Sequence, residues 1–233
     1  MKYLLIILLA SGYMNVRAQT QFMGWLATFQ NYKLNDRFGV YFDAQLRSTA
    51  QVQQMNTLLL RPGVNFYFSP SFTGTVGYAF IQQQRLSSGV TGYLPEHRVW
   101  EQMVFTHKVK PVHATLSHRL RHEHRFIPRH HAEGNELIKD GHRYAGRVRY
   151  FTRGIVPIGS NKDKRMFVAL QNEIFFHTAN GGSFDQNRAY VAAGYRVSKQ
   201  FDLELGYMNQ YIANAGGGPT NNHILQMATY LRL

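Results

Sequence analysis

The feature that most limits what this chain can become is a two-residue alternation of apolar and polar side chains. It is sustained over long segments and recurs along most of the sequence. Residues 37–47, RFGVYFDAQLR, show it most clearly. Phe38, Val40, Phe42, Ala44 and Leu46 fall on one register; Arg37, Tyr41, Asp43, Gln45 and Arg47 fall on the other. Residues 56–68 repeat the pattern, with Leu58, Leu60, Val64, Phe66 and Phe68 opposite Thr57, Arg61, Asn65 and Tyr67. Residues 201–211 set Phe201, Leu203, Leu205 and Tyr207 against Asp202, Glu204 and Gln210, and residues 223–233 place Leu225, Met227, Leu231 and Leu233 on one face. Successive side chains of a strand point to opposite faces, so each segment reads as a β-strand with one apolar and one polar face. About eleven such segments follow residue 19.

A soluble sandwich also alternates, so three further features decide between architectures. The segments run to about 10–13 residues, which suits a tilted membrane crossing better than the strands of about 5–6 residues usual in soluble sheets. Connections alternate between short ones, at residues 34–36, 69–71, 110–111 and 198–200, and long ones, at 48–55, 85–96, 127–141, 178–186 and 214–221. Aromatic residues gather near segment ends (Phe66, Tyr67, Phe68, Phe72, Phe175, Phe176 and Phe201), as interfacial girdles require. The expected fold is all-β: a closed antiparallel transmembrane β-barrel of about 10–12 strands, with short periplasmic turns and longer outer loops. Bacterial barrels of one chain close with an even strand number. Eleven segments therefore leave two choices: a further strand, making twelve, or a segment 22–32 that stands outside the wall, making ten.

The chain opens MKYLLIILLASGYMNVRAQ. Lys2, an apolar run over residues 3–10 and the small-residue site Val16-Arg17-Ala18 make a secretory signal peptide. The expected division is a signal peptide at 1–18 and an outer-membrane barrel domain at 19–233, in the outer membrane of a Gram-negative bacterium. No later run approaches the roughly 18 apolar residues of a spanning helix. With no cysteine in the chain, disulfides, thiol nucleophiles and Cys-bearing zinc sites are excluded. Formal net charge is +13, or +11 once Lys2 and Arg17 leave with the signal. Export turns so basic a chain away from nucleic acid and toward phosphate-rich head groups or anionic solutes. The expected partners are outer-membrane lipid and lipopolysaccharide, small anions, and the barrel-assembly machinery during biogenesis. No cofactor is expected.

The stretch RLRHEHRFIPRHH, residues 119–131, is explained by the same alternation. Val112, Ala114, Leu116, Leu120 and Phe126 share one register with His118, His122 and His124; Ser117, Arg119, Arg121, Glu123 and Arg125 share the other. If the apolar register meets lipid, the guanidiniums and Glu123 point into the lumen, since an arginine in lipid costs about 2–4 kcal/mol at mid-depth. The next segment places Arg143, Arg147, Arg149 and Arg153 inward, and Arg165, Glu173, His177, Arg188 and Arg196 follow. One sector of the lumen is thus rich in guanidinium and poor in carboxylate. Glu123, Glu173, Asp202 and Glu204 either brace it as ion pairs or leave room for an anion.

Two chemistries compete for the remaining polar residues. His122 and His124, two apart on one face, can present two imidazoles to a metal, with His118 on the same face and His130 and His131 in the following loop. There is no HExxH spacing, so no metal site is assigned. An acyl hydrolase needs a serine beside a histidine. Ser117 and His118 are adjacent and point to opposite faces, and neither Ser-x-His nor His-x-Ser occurs, which leaves only a cross-strand pair. The segment AGGGPTNN, 215–222, lacks the Lys-Ser/Thr of a phosphate loop and reads as a mobile outer loop.

Four stretches in order carry a family resemblance: Arg121-x-Glu123-x-Arg125-Phe126, Phe184-Asp185-Gln186-Asn187-Arg188, Gly206-Tyr207-Met208-Asn209-Gln210 and Asn222-His223-x-x-Gln226. Together they resemble the domain of unknown function 2490 family of outer-membrane β-barrel proteins of Bacteroidota-type bacteria. The resemblance spans essentially the whole chain after residue 18. It implies a barrel fold and an outer-membrane location, and no activity; His122 and His124 look like a variation on the family pattern. The residues that fit both it and the lumenal register form an expected polar cluster centred on Glu123 and Glu173: Arg119, Arg121, Glu123, Arg125, Arg143, Arg147, Arg149, Glu173, Arg188 and Gln210. Asn187 and Asn209 lie on the outward register. The expected role is structural, or a narrow anion-preferring passage, with a lipid-active hydrolase or a rim metal binder as the alternative.

Overall fold

In a computed structural model, which describes residues 19–159, 165–179, 182–214 and 218–233, the alternating segments join edge to edge into a closed ring of eleven strands. They are β1 Gln19–Lys33, β2 Phe38–Ser48, β3 Met55–Ser69, β4 Phe72–Ser87, β5 Val90–Val109, β6 Ala114–Glu133, β7 Glu136–Ile158, β8 Met166–His177, β9 Phe184–Arg196, β10 Phe201–Ile212 and β11 Thr220–Arg232. The expected signal peptide, residues 1–18, lies outside the described residues, as does the start of the glycine-rich segment at 215–217.

Each strand pairs antiparallel with its neighbour in sequence, but the ring is closed by a parallel pair, β1 with β11. The reason is parity. In an up-and-down meander of odd strand number the first and last strands run the same way, so their only possible seam is parallel. Neither ten nor twelve strands are needed, and segment 22–32 belongs to the wall. The seam holds register from Gln19↔Thr220 to Asn31↔Arg232. Leu233 N donates to Asn31 O at 2.8 Å, and Phe29 stacks on Tyr230 with centroids 5.0 Å apart.

The two ends of the barrel differ, though not as loop lengths suggested. One end carries tight turns, including a single 3-10 turn at Lys110–Val112. At the other end, two expected loops are strands. β4 and β5 stay paired up to Ser87↔Val90. Ser88 and Gly89 reverse the chain with φ of 46° and 83°, as the primed hairpin turns demand. β6 likewise continues through His130 and His131 to Glu133 and returns as β7 after Gly134, φ 58°. The loop histidines are therefore strand residues. Alternation was weak here because the β6–β7 hairpin stands beyond β8, whose pairing with β7 begins only at Arg147↔His177.

The apolar registers face outward: Val64, Val76, Met103, Leu120, Leu170, Leu205 and Met227 are each more than half exposed. Phe38, Phe66, Phe68 and Phe72 form a chain of outward ring contacts near the tight-turn end. Phe176, Phe184 and Tyr211 do so near the other end. Phe175 and Tyr67, expected in the girdles, instead point into the barrel, because their registers are the inward ones.

Side chains fill much of the interior. Trp25, Phe167, Ala169, Tyr190, Ala192, Met208 and Ile224 pack together on one side, and Tyr41, Leu59, Ala79, Ile81 and Trp100 on the other. These large rings fit because glycines lie beneath them. A Cβ at Gly77 would sit only 2.4 Å from Trp100 Cζ2 and from the Pro62 carbonyl. Between the two apolar clusters runs the charged layer.

Candidate functional site

Alternation along β6 aims Arg119, Arg121, Glu123 and Arg125 inward, and strand register supplies their partners. Glu123 sits opposite Trp100 of β5 and Arg147 of β7, and Arg121 opposite Gln102 and Arg149. Glu173 of β8 sits opposite Arg188 of β9. Side chains leaning along the strands then join these rows. Glu123 Oε2 accepts from Arg147 Nη2 at 2.7 Å and from Arg98 Nη1 at 3.3 Å, while Oε1 accepts from Arg149 Nη1 at 2.6 Å. Arg149 Nε donates to Glu173 Oε1 at 3.0 Å, and Arg119 Nη2 donates to the same oxygen at 2.6 Å. Arg98 turns its Nε to Glu96 Oε1 at 2.7 Å, where Arg125 Nε joins at 2.8 Å. Arg147 Nη1 reaches Asp185 Oδ2 at 3.0 Å. Arg98, Arg147 and Arg149 each bridge two carboxylates, so Glu96, Glu123, Glu173 and Asp185 belong to one continuous network.

Nearly every residue of the expected cluster is in or beside this network. Arg143 is not: it pairs with Ile127 in the projecting hairpin and is exposed. Gln210 belongs to an adjoining amide group, its side chain 2.5 Å from that of Gln186 and 3.3 Å from that of Asn222. Glu96 escapes the sequence reading because residues 85–96 read as a loop, and Arg98 and Gln102 escape because that reading gives no register to the segment just beyond it. Extending the alternation of β5 back from Trp100 would have placed Glu96 and Arg98 on the inward face. Asp185, at the start of β9, also supplies charge that counting along β6 and β7 overlooks. Elsewhere in the interior, Asp43 pairs with Arg61 at 3.3 Å, Asp202 with Arg232 at 2.8 Å, and Glu204 with Arg153.

Three inward guanidiniums have no carboxylate partner among the described residues. Arg121 donates to Gln102 Oε1 at 2.6 and 3.0 Å and lies 4.5 Å over the Trp100 ring. Arg47 donates to Gln45 Oε1 and lies 4.0 Å over the Trp25 ring. Arg188 lies 5.1 Å over that same indole and 4.8 Å over Phe175. Aromatic faces offset part of a guanidinium's charge without neutralising it. Arg121 Nη1 and Trp25 Nε1 are buried with no protein acceptor.

Two interior cavities lie on either side of this layer. The one toward the tight-turn end, about 440 Å³, is lined by Asn31, Asp43, Asn65, Arg119, Tyr230 and Arg232 among others. The one toward the opposite end, about 350 Å³, includes Asn56, Thr57, Arg125, Asp185, Gln210 and Asn222. Both share Trp25, Arg47, Arg61, Arg149 and Arg188. Arg61 and Arg149 are held by carboxylates, whereas Arg47 and Arg188 are not.

On the outer wall, Ser117 and His118 diverge as alternation requires: Ser117 Oγ meets Thr106 Oγ1 inside, and His118 Nδ1 meets Tyr150 Oη outside. Among the described residues no side-chain hydrogen bond joins a serine hydroxyl to a histidine ring. His122 and His124 are both outward, beside Glu101.

The sequence pattern of a family described as "Protein of unknown function (DUF2490)" matches residues 22–222. An uncharacterized protein of Methylorubrum extorquens is 25% identical over 194 residues, covering 82% of this chain and 80% of its own length. No solved structure matches.

Proposed function

Because the chain belongs to the DUF2490 family of proteins of unknown function, its activity has to be read from the barrel, and we propose that it is an outer-membrane protein acting as a narrow, anion-preferring passage. The location is supported by the closed ring with an outward apolar face and an inward charged one. Lipid removes the cost of exposing that face, and closure leaves no strand edge unpaired in hydrocarbon. On this reading residues 1–18 are a cleaved export signal. The outer wall meets lipid and lipopolysaccharide, and the barrel-assembly machinery inserts the chain.

The observation that carries the passage is the layer shared by the two cavities. Arg47 and Arg188 share one indole there with no carboxylate between them. An anion at this layer meets guanidinium donors in a low-dielectric surround, whereas a cation meets an excess of positive charge, since the nearby carboxylates Asp43, Glu173 and Asp185 are already paired with arginines; arginine-lined constrictions select anions this way. The ion-pair network around Glu123 and Glu173 keeps the neighbouring guanidiniums fixed, so the layer stays narrow.

Reversal potentials across a planar bilayer under a potassium chloride gradient test this. The refolded protein is expected to conduct weakly with chloride preferred over potassium. The double variant Arg47→Gln, Arg188→Gln is expected to lose most of that preference. No conductance, or a preference for potassium, would refute the passage.

A further inference from the structure

Strand register lines up an outward row across the wall: Val64, Val76, Glu101, His122, Val148 and Phe176 are successive partners on β3 to β8. Four members are apolar, and a carboxylate beside an imidazole interrupts them. His124 stands on the same face two residues along β6. Glu101 Oε1 lies 2.8 Å from His122 Nδ1 and 3.5 Å from His124 Nε2, and the two imidazole rings are 4.3 Å apart. One donor atom from each residue can be chosen so that all three lie within 4.8 Å of one another.

We infer that Glu101, His122 and His124 form a transition-metal site on the outer wall, suited to Zn²⁺. Metal–ligand bonds of about 2.0–2.2 Å in a tetrahedron put neighbouring donors about 3.3–3.5 Å apart, so an ion fits with small side-chain rotations. Two imidazoles and one carboxylate are a zinc donor set, and the fourth position is left open on the outward side of the wall. A second shell is present. Tyr144 Oη lies 2.8 Å from His124 Nδ1, which fixes the ring and leaves Nε2 turned toward Glu101.

The other outward histidines show why this spot differs. His97, His118 and His223 each bond a tyrosine hydroxyl, at Tyr78, Tyr150 and Tyr207. At His122 the partner is a carboxylate instead. A carboxylate among valines needs a cation, and a divalent ion held by all three groups supplies it. The site is independent of the passage, since it lies on the opposite face of the wall.

The test uses the refolded mature chain without a polyhistidine tag. Equilibrium dialysis is expected to find one tightly held Zn²⁺ per barrel, and Co²⁺ is expected to give the intense visible bands of a tetrahedral site. Glu101→Gln and His124→Phe are each expected to lower affinity at least about 100-fold, and Tyr144→Phe about 10-fold. His118→Phe is expected to change nothing. Heat-modifiable gel mobility confirms that each variant has folded. Absence of stoichiometric binding by the wild type overturns the site, as does binding that survives Glu101→Gln with His124→Phe or that disappears with His118→Phe.

Discussion

Replacing Glu123 by alanine removes the acceptor for three buried guanidiniums, those of Arg98, Arg147 and Arg149. Taking one partner from a buried pair costs about 3–5 kcal/mol, because the remaining charge is stranded. Here none of the three is wholly stranded. Arg98 keeps Glu96, Arg147 keeps Asp185 and Arg149 keeps Glu173. The loss is therefore expected at the low end, about 3 kcal/mol. Glu173→Ala is expected to cost more, about 4–5 kcal/mol, since it takes from Arg119 the only carboxylate it meets among the described residues. With a urea dependence of about 2 kcal/mol per molar, the midpoint should fall by about 1.5 M for Glu123→Ala and by more than about 2 M for Glu173→Ala. Heat-modifiable mobility and tryptophan emission, with Trp100 directly opposite Glu123, follow unfolding of the refolded barrel. Both midpoints within about 0.3 M of wild type would refute the view that the network braces the wall. Normal mobility with an altered conductance would assign Glu123 to the passage instead.

Other consequences can be tested singly. Cysteines at Ala27 and Ala228, register partners across β1 and β11 and both buried inside, should form an intramolecular disulfide in a chain that has no other cysteine. No shift on a non-reducing gel would count against the parallel seam. Gly77→Ala forces a Cβ against Trp100 and the Pro62 carbonyl, so it is expected to destabilise by about 1–3 kcal/mol in urea unfolding. Leu205→Arg, on the outward face of β10, is expected to cost about 2–4 kcal/mol in folding into vesicles if it lies near mid-depth. An unchanged stability would place that face in water.

Much of this was legible from alternation alone, and the misses share a cause. The inward sets Asp43/Arg61, Arg121/Glu123/Arg125 and Arg147/Arg149 follow from counting by two. Glu96 hides at the edge of residues 85–96, which read as a loop although a Ser-Gly pair suffices to turn that hairpin, and Arg98 lies just beyond in a segment the reading gives no register. Phe175 was assigned to an aromatic girdle by its position near a strand end. Its register instead carries it under Arg147, Arg149 and Arg188. Glu101 drew no notice because an outward carboxylate breaks the pattern that identified every other outward residue.

The order of residues by itself determined which side chains face in and which face out, because strand geometry reverses direction at each residue. It also determined that the polar set is basic, and that closure was required for so much outward apolar surface. Only the tertiary structure decided which carboxylate meets which guanidinium, since those contacts join strands up to 54 residues apart, as between Arg119 and Glu173. It also decided that eleven strands close through a parallel seam. The direction of one strand relative to another ten strands away is a property of the ring, and no local pattern carries it.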